Sequence, residues 1–170
     1  MAEELSKKFQ KKDPLFLGVL NGSFIFLADL VRYMSINCDV DFVQLKSYVG
    51  MDSSGDVQIL KDISFDLKNR DVIIVEDIIE TGITLNYLMK RIDRYRPNSV
   101  TIVTLLKKNI KTTFNFKIDM IGFEISKDFV VGYGLDYNQK YRNLGGFGCP
   151  SGAASDRAHG RGLACFPESG

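Results

Sequence analysis

The chain has 170 residues, 45% of them hydrophobic and 25% charged, with a net charge of +1. That length is enough for one domain with a real core, and the composition is that of an ordinary globular protein. The near-zero charge leaves no global field for nucleic acid or a membrane surface, and no apolar run approaches the ~20 residues of a membrane span, so neither partner is expected.

Residues 2–11 are polar, with Leu5 and Phe9 spaced as on one helix face, until Asp13-Pro14 breaks the pattern. Residues 15–20 read as a short apolar strand, Asn21-Gly22-Ser23 as a turn, and residues 24–34 as a well-buried helix. The turn either binds an anion at the helix start or simply connects the two elements. Residues 40–47 read as a strand. The polar stretch 50–56, Gly-Met-Asp-Ser-Ser-Gly-Asp, lies between two β-like runs and reads as a hairpin tip or a mobile flap.

The central run is residues 71–84. Val72-Ile73-Ile74-Val75, four β-branched residues, make a strand buried on both faces. Glu76 and Asp77 follow where that strand is expected to end, then Ile78-Ile79-Glu80-Thr81-Gly82-Ile83-Thr84 and a helical pattern on Leu85, Leu88, Met89 and Ile92. Acids at the carboxyl end of a parallel strand lie where open α/β sheets bind ligands. A Thr-Gly turn opening a helix offers backbone N–H groups and a positive dipole end to a phosphate. Carboxylates beside a phosphate repel it unless a divalent cation intervenes, and Mg²⁺ is the usual one. The run therefore predicts a site for a phosphorylated sugar with Mg²⁺. Residues 100–106 and 119–123 read as further buried strands. Strands alternating with helices predict an α/β fold, an open parallel sheet flanked by helices.

The run 72–84 also resembles the phosphoribosyl-pyrophosphate (PRPP) signature of type I phosphoribosyltransferases. Residues 129–137, Phe-Val-Val-Gly-Tyr-Gly-Leu-Asp-Tyr, resemble the purine-binding segment of the 6-oxopurine, or hypoxanthine-guanine, branch. The resemblance covers roughly residues 14–144. It implies a purine-salvage enzyme of the cytoplasm that joins hypoxanthine or guanine to PRPP, giving IMP or GMP and pyrophosphate. It also implies a dimer or tetramer. The alternative is a catalytically silent regulator of the same fold that binds PRPP or nucleotide; the low charge and absence of an appended basic domain count against it.

Carried over residue by residue, the resemblance implies that Glu76 and Asp77 hold the ribose hydroxyls and Mg²⁺-bound water. Glu80 takes the family's Asp position and manages the purine N7 proton, and Glu80, Thr81, Gly82, Ile83 and Thr84 cradle the 5′-phosphate. Asn21 and Gly22 fall where pyrophosphate meets backbone amides, often with an unusual peptide geometry, and Arg142 contacts pyrophosphate too. Ser47 and Tyr48 begin a mobile flap; from the residues alone they start an ordinary hairpin. Lys108, at the end of a strand where lysines are usually solvated, donates to the purine 6-oxo group. Phe129, as a lone residue more often a core aromatic, stacks on the base, and Val130 offers its backbone to the purine edge. Asp136, otherwise a turn acid, meets a second Mg²⁺, so Glu76, Asp77 and Asp136 form the expected metal set.

From Gly145 the composition changes: residues 145–170 hold seven glycines and no clean period, do not resemble the family's apolar ending, and read as disordered or loosely packed. The expected domain is thus residues 1–144. Cys38, Cys149 and Cys165 have no metal-ligand spacing, and their odd number points to reduced thiols. The sole histidine, His159, lies in this tail, which leaves catalysis to carboxylates, lysines or tyrosines.

Overall fold

The computed structural model describes residues 1–47, 57–110 and 114–148. Helix α1 (Ala2–Lys8) carries Glu3 and Glu4 in its first turn and Lys7 and Lys8 in its last, the charge order that suits the helix dipole. Leu5 and the following Phe9 are buried from its one apolar face. The helix stops three residues before the predicted end, and Lys11 takes a left-handed φ of 63°. Strand β1 (Leu15–Leu20) leads to α2 (Phe24–Arg32), and β2 (Asp39–Ser47) follows. Strand β3 (Val57–Lys61) pairs antiparallel with β2, so the sheet is mixed at one edge and parallel elsewhere. Of the predicted flap, Ser47 ends β2, and Tyr48 to Asp56 lie outside the described residues.

Strand β4 (Asp71–Ile79) is longer than its apolar core implies: it continues through both acids to Ile79. Pairing with β5 (Ser99–Lys108) runs to Ile79 opposite Lys107, which carries the backbone past the carboxylates. Helix α3 (Ile83–Asp93) buries Leu85, Leu88 and Ile92 and ends before Pro97, which disfavours helical geometry at Arg96. Strand β6 (Met120–Ile125) completes the order β3-β2-β1-β4-β5-β6.

Both faces of the sheet are covered. Phe16, Ile73, Val75 and Val103 pack with Leu5, Phe9, Phe26 and Leu30 of the α1 and α2 side. Leu15, Leu17, Val72, Ile74 and Ile102 pack with Leu85, Leu88 and Ile92 of α3. Fully burying a side chain of this kind contributes roughly 1.5–3 kcal/mol. The parallel order reverses between β1 and β4, so the crevice lies at their carboxyl ends, beside Asn21 and Asp77. No described helix is long and apolar enough to cross a membrane.

The chain does not leave the domain at Leu144. Val131 and Gly148 exchange both backbone hydrogen bonds, at 2.8 and 2.9 Å. The Phe147 ring lies 5.8 Å from Phe123. Packing thus runs four residues past the expected boundary, because residues 130–148 fold back on themselves.

Candidate active site

Strand alternation separates the two adjacent acids. Ile74 and Glu76 project toward the α3 side of the sheet, while Val75 and Asp77 project toward α2. Glu76 is 9% exposed, and its Oε2 has no hydrogen-bond partner among the described residues. Burial, then the neighbouring Asp77 charge, pushes its pKa well above the usual carboxylate range. Asp77 lies against Gly22, where a Cβ would stand 1.5 Å from its Oδ2. Burial raises its pKa to about 6, partly opposed by the Ile78 N–H, its own backbone N–H and Arg142, while Asp136 pushes it further up.

The β1–α2 turn is held from below. Ser23 Oγ donates to Val19 O at 2.7 Å, and the Leu20–Asn21 peptide is cis. The Asn21 side chain accepts a 3.3 Å hydrogen bond from Gln44. Gly22 and the backbone of Gly134 touch: a Cβ on Gly134 would lie 2.0 Å from Gly22 O.

After β4, Gly82 caps α3 with a φ of 72°. Only glycine takes this place freely, since a Cβ would meet the Phe114 ring at 2.6 Å as well as backbone strain. Asn86 N–H already donates to Gly82 O at 2.8 Å, so the first-turn N–H groups of α3 face the loop. A recess of about 220 Å³ there is lined by Glu76, Glu80, Thr81, Gly82, Ile83 and Thr84. With no acid in the first turn, this helix end favours an anion.

A second recess, of about 180 Å³, is lined by Asp77, Glu80, Lys108, Phe129, Val130 and Asp136, with Ile78 and Leu135 behind them. Lys108 ends β5 and makes an ion pair with Glu80. Phe129 is 49% exposed, with its ring edge-on to Tyr137 at 5.7 Å, and is not a core aromatic. Val130 is buried. Asp136 pairs with Arg142 Nη2 at 2.7 Å and accepts the Gln139 N–H at 2.8 Å. Arg142 also donates to Gly134 O at 2.8 Å.

The metal set is the part that does not assemble as expected. Among the described residues, no three of His, Cys, Asp and Glu are grouped to hold an ion. Glu76 is on the opposite face from Asp77, because the strand runs through both instead of ending before them. Asp77 and Asp136 do share one recess. An under-compensated carboxylate there suits Mg²⁺, which binds one or two carboxylates and takes its other oxygens from ligand and water.

The model of the phosphoribosyl transferase domain matches residues 1–138. A hypoxanthine-guanine phosphoribosyltransferase of Lactococcus lactis is 46% identical over 145 residues, 85% of this chain and 79% of that protein. Its Bacillus subtilis namesake is 42% identical over 145 residues, 85% of this chain and 81% of its own. This chain belongs to the hypoxanthine-guanine branch of the phosphoribosyl transferase family. The crystal structure of a Staphylococcus aureus hypoxanthine phosphoribosyltransferase agrees, with a TM-score of 0.82 at 40% identity over 86% of this chain and 80% of that one.

In this phosphoribosyltransferase the matched domain takes in every expected site residue except Arg142, which the fold brings to Asp136. Ile78 and Leu135, which also wall the second recess, were not singled out by sequence. Both are apolar residues next to an acid, and nothing in the pattern distinguishes them from core. Gly134 was also missed as a contact of the β1–α2 turn; its signal is the Gly-Tyr-Gly spacing, which marks a tight turn.

Proposed function

We propose that this phosphoribosyltransferase joins hypoxanthine or guanine to PRPP, releasing pyrophosphate and giving IMP or GMP. The reading rests on one observation above others: acid, lysine and aromatic groups fit for a 6-oxopurine line one recess, adjoining the phosphate-type helix start. Phe129 stacks on the base, Lys108 donates to its 6-oxo group, and the Val130 backbone meets its edge. Glu80 accepts the N7 proton as N9 attacks C1 of the ribose and pyrophosphate departs. Thr81, Gly82, Ile83 and Thr84 hold the 5′-phosphate through backbone N–H groups and hydroxyls. Glu76 and Asp77 face the ribose hydroxyls from the two sides of β4. Asn21, Gly22 and Arg142 bind pyrophosphate, and the flap that begins at Ser47 and Tyr48 excludes water from the cationic sugar. Asp77 and Asp136 would hold Mg²⁺, which when bound offsets the pyrophosphate charge. Two ion pairs, Glu80 with Lys108 and Asp136 with Arg142, support the reading, because ligand polar groups can replace internal partners there without leaving charges bare. The dimer or tetramer implied by the resemblance belongs to the same proposal and is read by sedimentation velocity.

A coupled assay with hypoxanthine, guanine, xanthine and adenine tests the reading. Adenine presents an amino donor to Lys108, which costs about 3 kcal/mol or more, so its kcat/KM should be lower by roughly a hundredfold. Comparable rates with adenine and hypoxanthine would refute the assigned base pocket. Activity that survives excess chelator would remove Mg²⁺ from it.

A further inference from the structure

Helix α2 carries one acid, Asp29, among apolar residues, and Tyr133 reaches across 104 residues of sequence to it. The Tyr133 hydroxyl donates to Asp29 Oδ2 at 2.6 Å. The pair stands in the wall of an open recess of about 410 Å³ lined by Phe26, Leu30, Leu105 and Phe123, and the half-exposed Asp29 also holds Arg32 at 3.3 Å through its other oxygen. Burial first, and then Asp29, hold the Tyr133 pKa above the usual phenol value, so the hydroxyl keeps its proton for donation.

The backbone around Tyr133 is unusual. Gly132, Tyr133 and Gly134 have φ values of 94°, 51° and 101°. A tyrosine in the left-handed region persists only where its surroundings over-determine it. Its N–H donates to Leu144 O at 2.9 Å, and the Gly134 N–H donates to Arg142 O at 3.0 Å. The same turn presses Gly134 against Gly22 O, the residue on which Asp77 rests. The turn is therefore fastened twice to one rigid element. Gly134 meets the residues that open α2, and the Tyr133 hydroxyl meets Asp29 farther along it. Val130 lies on one side of these fastenings and Asp136 on the other.

We propose that Tyr133 and Asp29 are positioning residues, a strut that sets the spacing between the base-binding segment and the pyrophosphate turn. The inference rests on the function proposed above and deepens it: neither residue touches substrate, and both act through Val130, Asp136 and Gly22.

The test uses the full chain and its Y133F, D29A and D29N variants. Y133F removes only the hydroxyl, and D29A removes the acceptor. Each should raise KM for hypoxanthine and for PRPP together by about fivefold to tenfold, the scale of one hydrogen bond, with kcat changed less than about twofold. D29N keeps an acceptor oxygen in place and should stay within about twofold of wild type. IMP spans both elements, so calorimetry should find its binding weaker by a similar factor in Y133F and D29A. Wild-type KM values and IMP affinity in Y133F, whatever its melting temperature, overturn the strut, as does D29N behaving like D29A. A wild-type chain that neither turns over nor binds IMP removes the functional reading and the strut with it. Normal wild-type turnover beside unchanged variants removes the strut alone.

Discussion

Glu80 and Lys108 meet in the second recess, beside Phe129, and the pair changes how each substitution there should be read. If the Glu80 carboxylate receives the N7 proton, Glu80→Gln should lower kcat by ~10²-fold, the scale of a positioned acid–base group. PRPP affinity should hold, because its phosphate depends on backbone N–H groups. Glu80→Asp restores the family residue, with a reach one methylene shorter, and should keep most of the activity. Steady-state kinetics on the three proteins, with PRPP binding measured separately, decides; equal turnover in all three would leave Glu80 as a turn residue. Asp77 makes a different prediction. With its pKa raised to about 6, the folded chain retains a proton that the unfolded chain gives up near pH 4. Folded protein binds more protons in that window, so stability falls as pH rises from about 4 to 6. Urea denaturation in chelator should show wild type losing about 2–3 kcal/mol relative to Asp77→Asn across this window. Parallel pH dependences would show that Asp77 ionises normally.

At the scale of elements, the turn that opens α3 was legible because its signals are local. Gly82 takes a φ of 72° to open α3, and Thr81 and Thr84 flank it within one turn of chain. The end of β4 was not legible. Its apolar run stops at Val75, yet the strand continues to Ile79, since pairing with β5 rather than side-chain polarity keeps it extended. Four more positions of strand put Glu76 and Asp77 on opposite faces and break up the expected three-carboxylate metal set. Gly22 is the element-scale contact that most constrains the site. Its missing Cβ makes room for the Asp77 carboxylate, so Gly22→Ala should displace either the turn or the acid. A loss of about 1–3 kcal/mol, as for overpacking, is expected together with at least a tenfold fall in kcat/KM. Thermal melts and PRPP kinetics would check it, and an active, stable variant would mean that the turn yields freely.

For the whole molecule, the reversal of strand order between the parallel β1 and β4 gathers groups distant in sequence into one crevice. Closure of the Phe129–Val130 side of that crevice depends on residues 130–148, which end beyond the boundary expected at Leu144. Two proteins, one stopped after Gly148 and one after Leu144, isolate the contribution of four residues. The shorter should melt about 5 °C lower, because it loses the Val131–Gly148 hydrogen bonds and the Phe147 contact with Phe123. Identical melting curves would show that the segment adds nothing. The α/β class, the order of the helices and strands, and the glycine turn that opens α3 could all be read from the sequence, since periodicity, glycine placement and short motifs act over a few residues. The antiparallel β2–β3 pair was open to reading as a hairpin, whereas tertiary structure alone decided that Glu76 and Asp77 part company across the sheet. It also decided that Arg142 turns to Asp136, that Glu80 pairs with Lys108, and that Tyr133 finds Asp29. The three contacts carry no local signal in the chain, and the fate of the two acids waits on β5 keeping β4 extended, so burial and strand register settle both only once the sheet has closed on both faces.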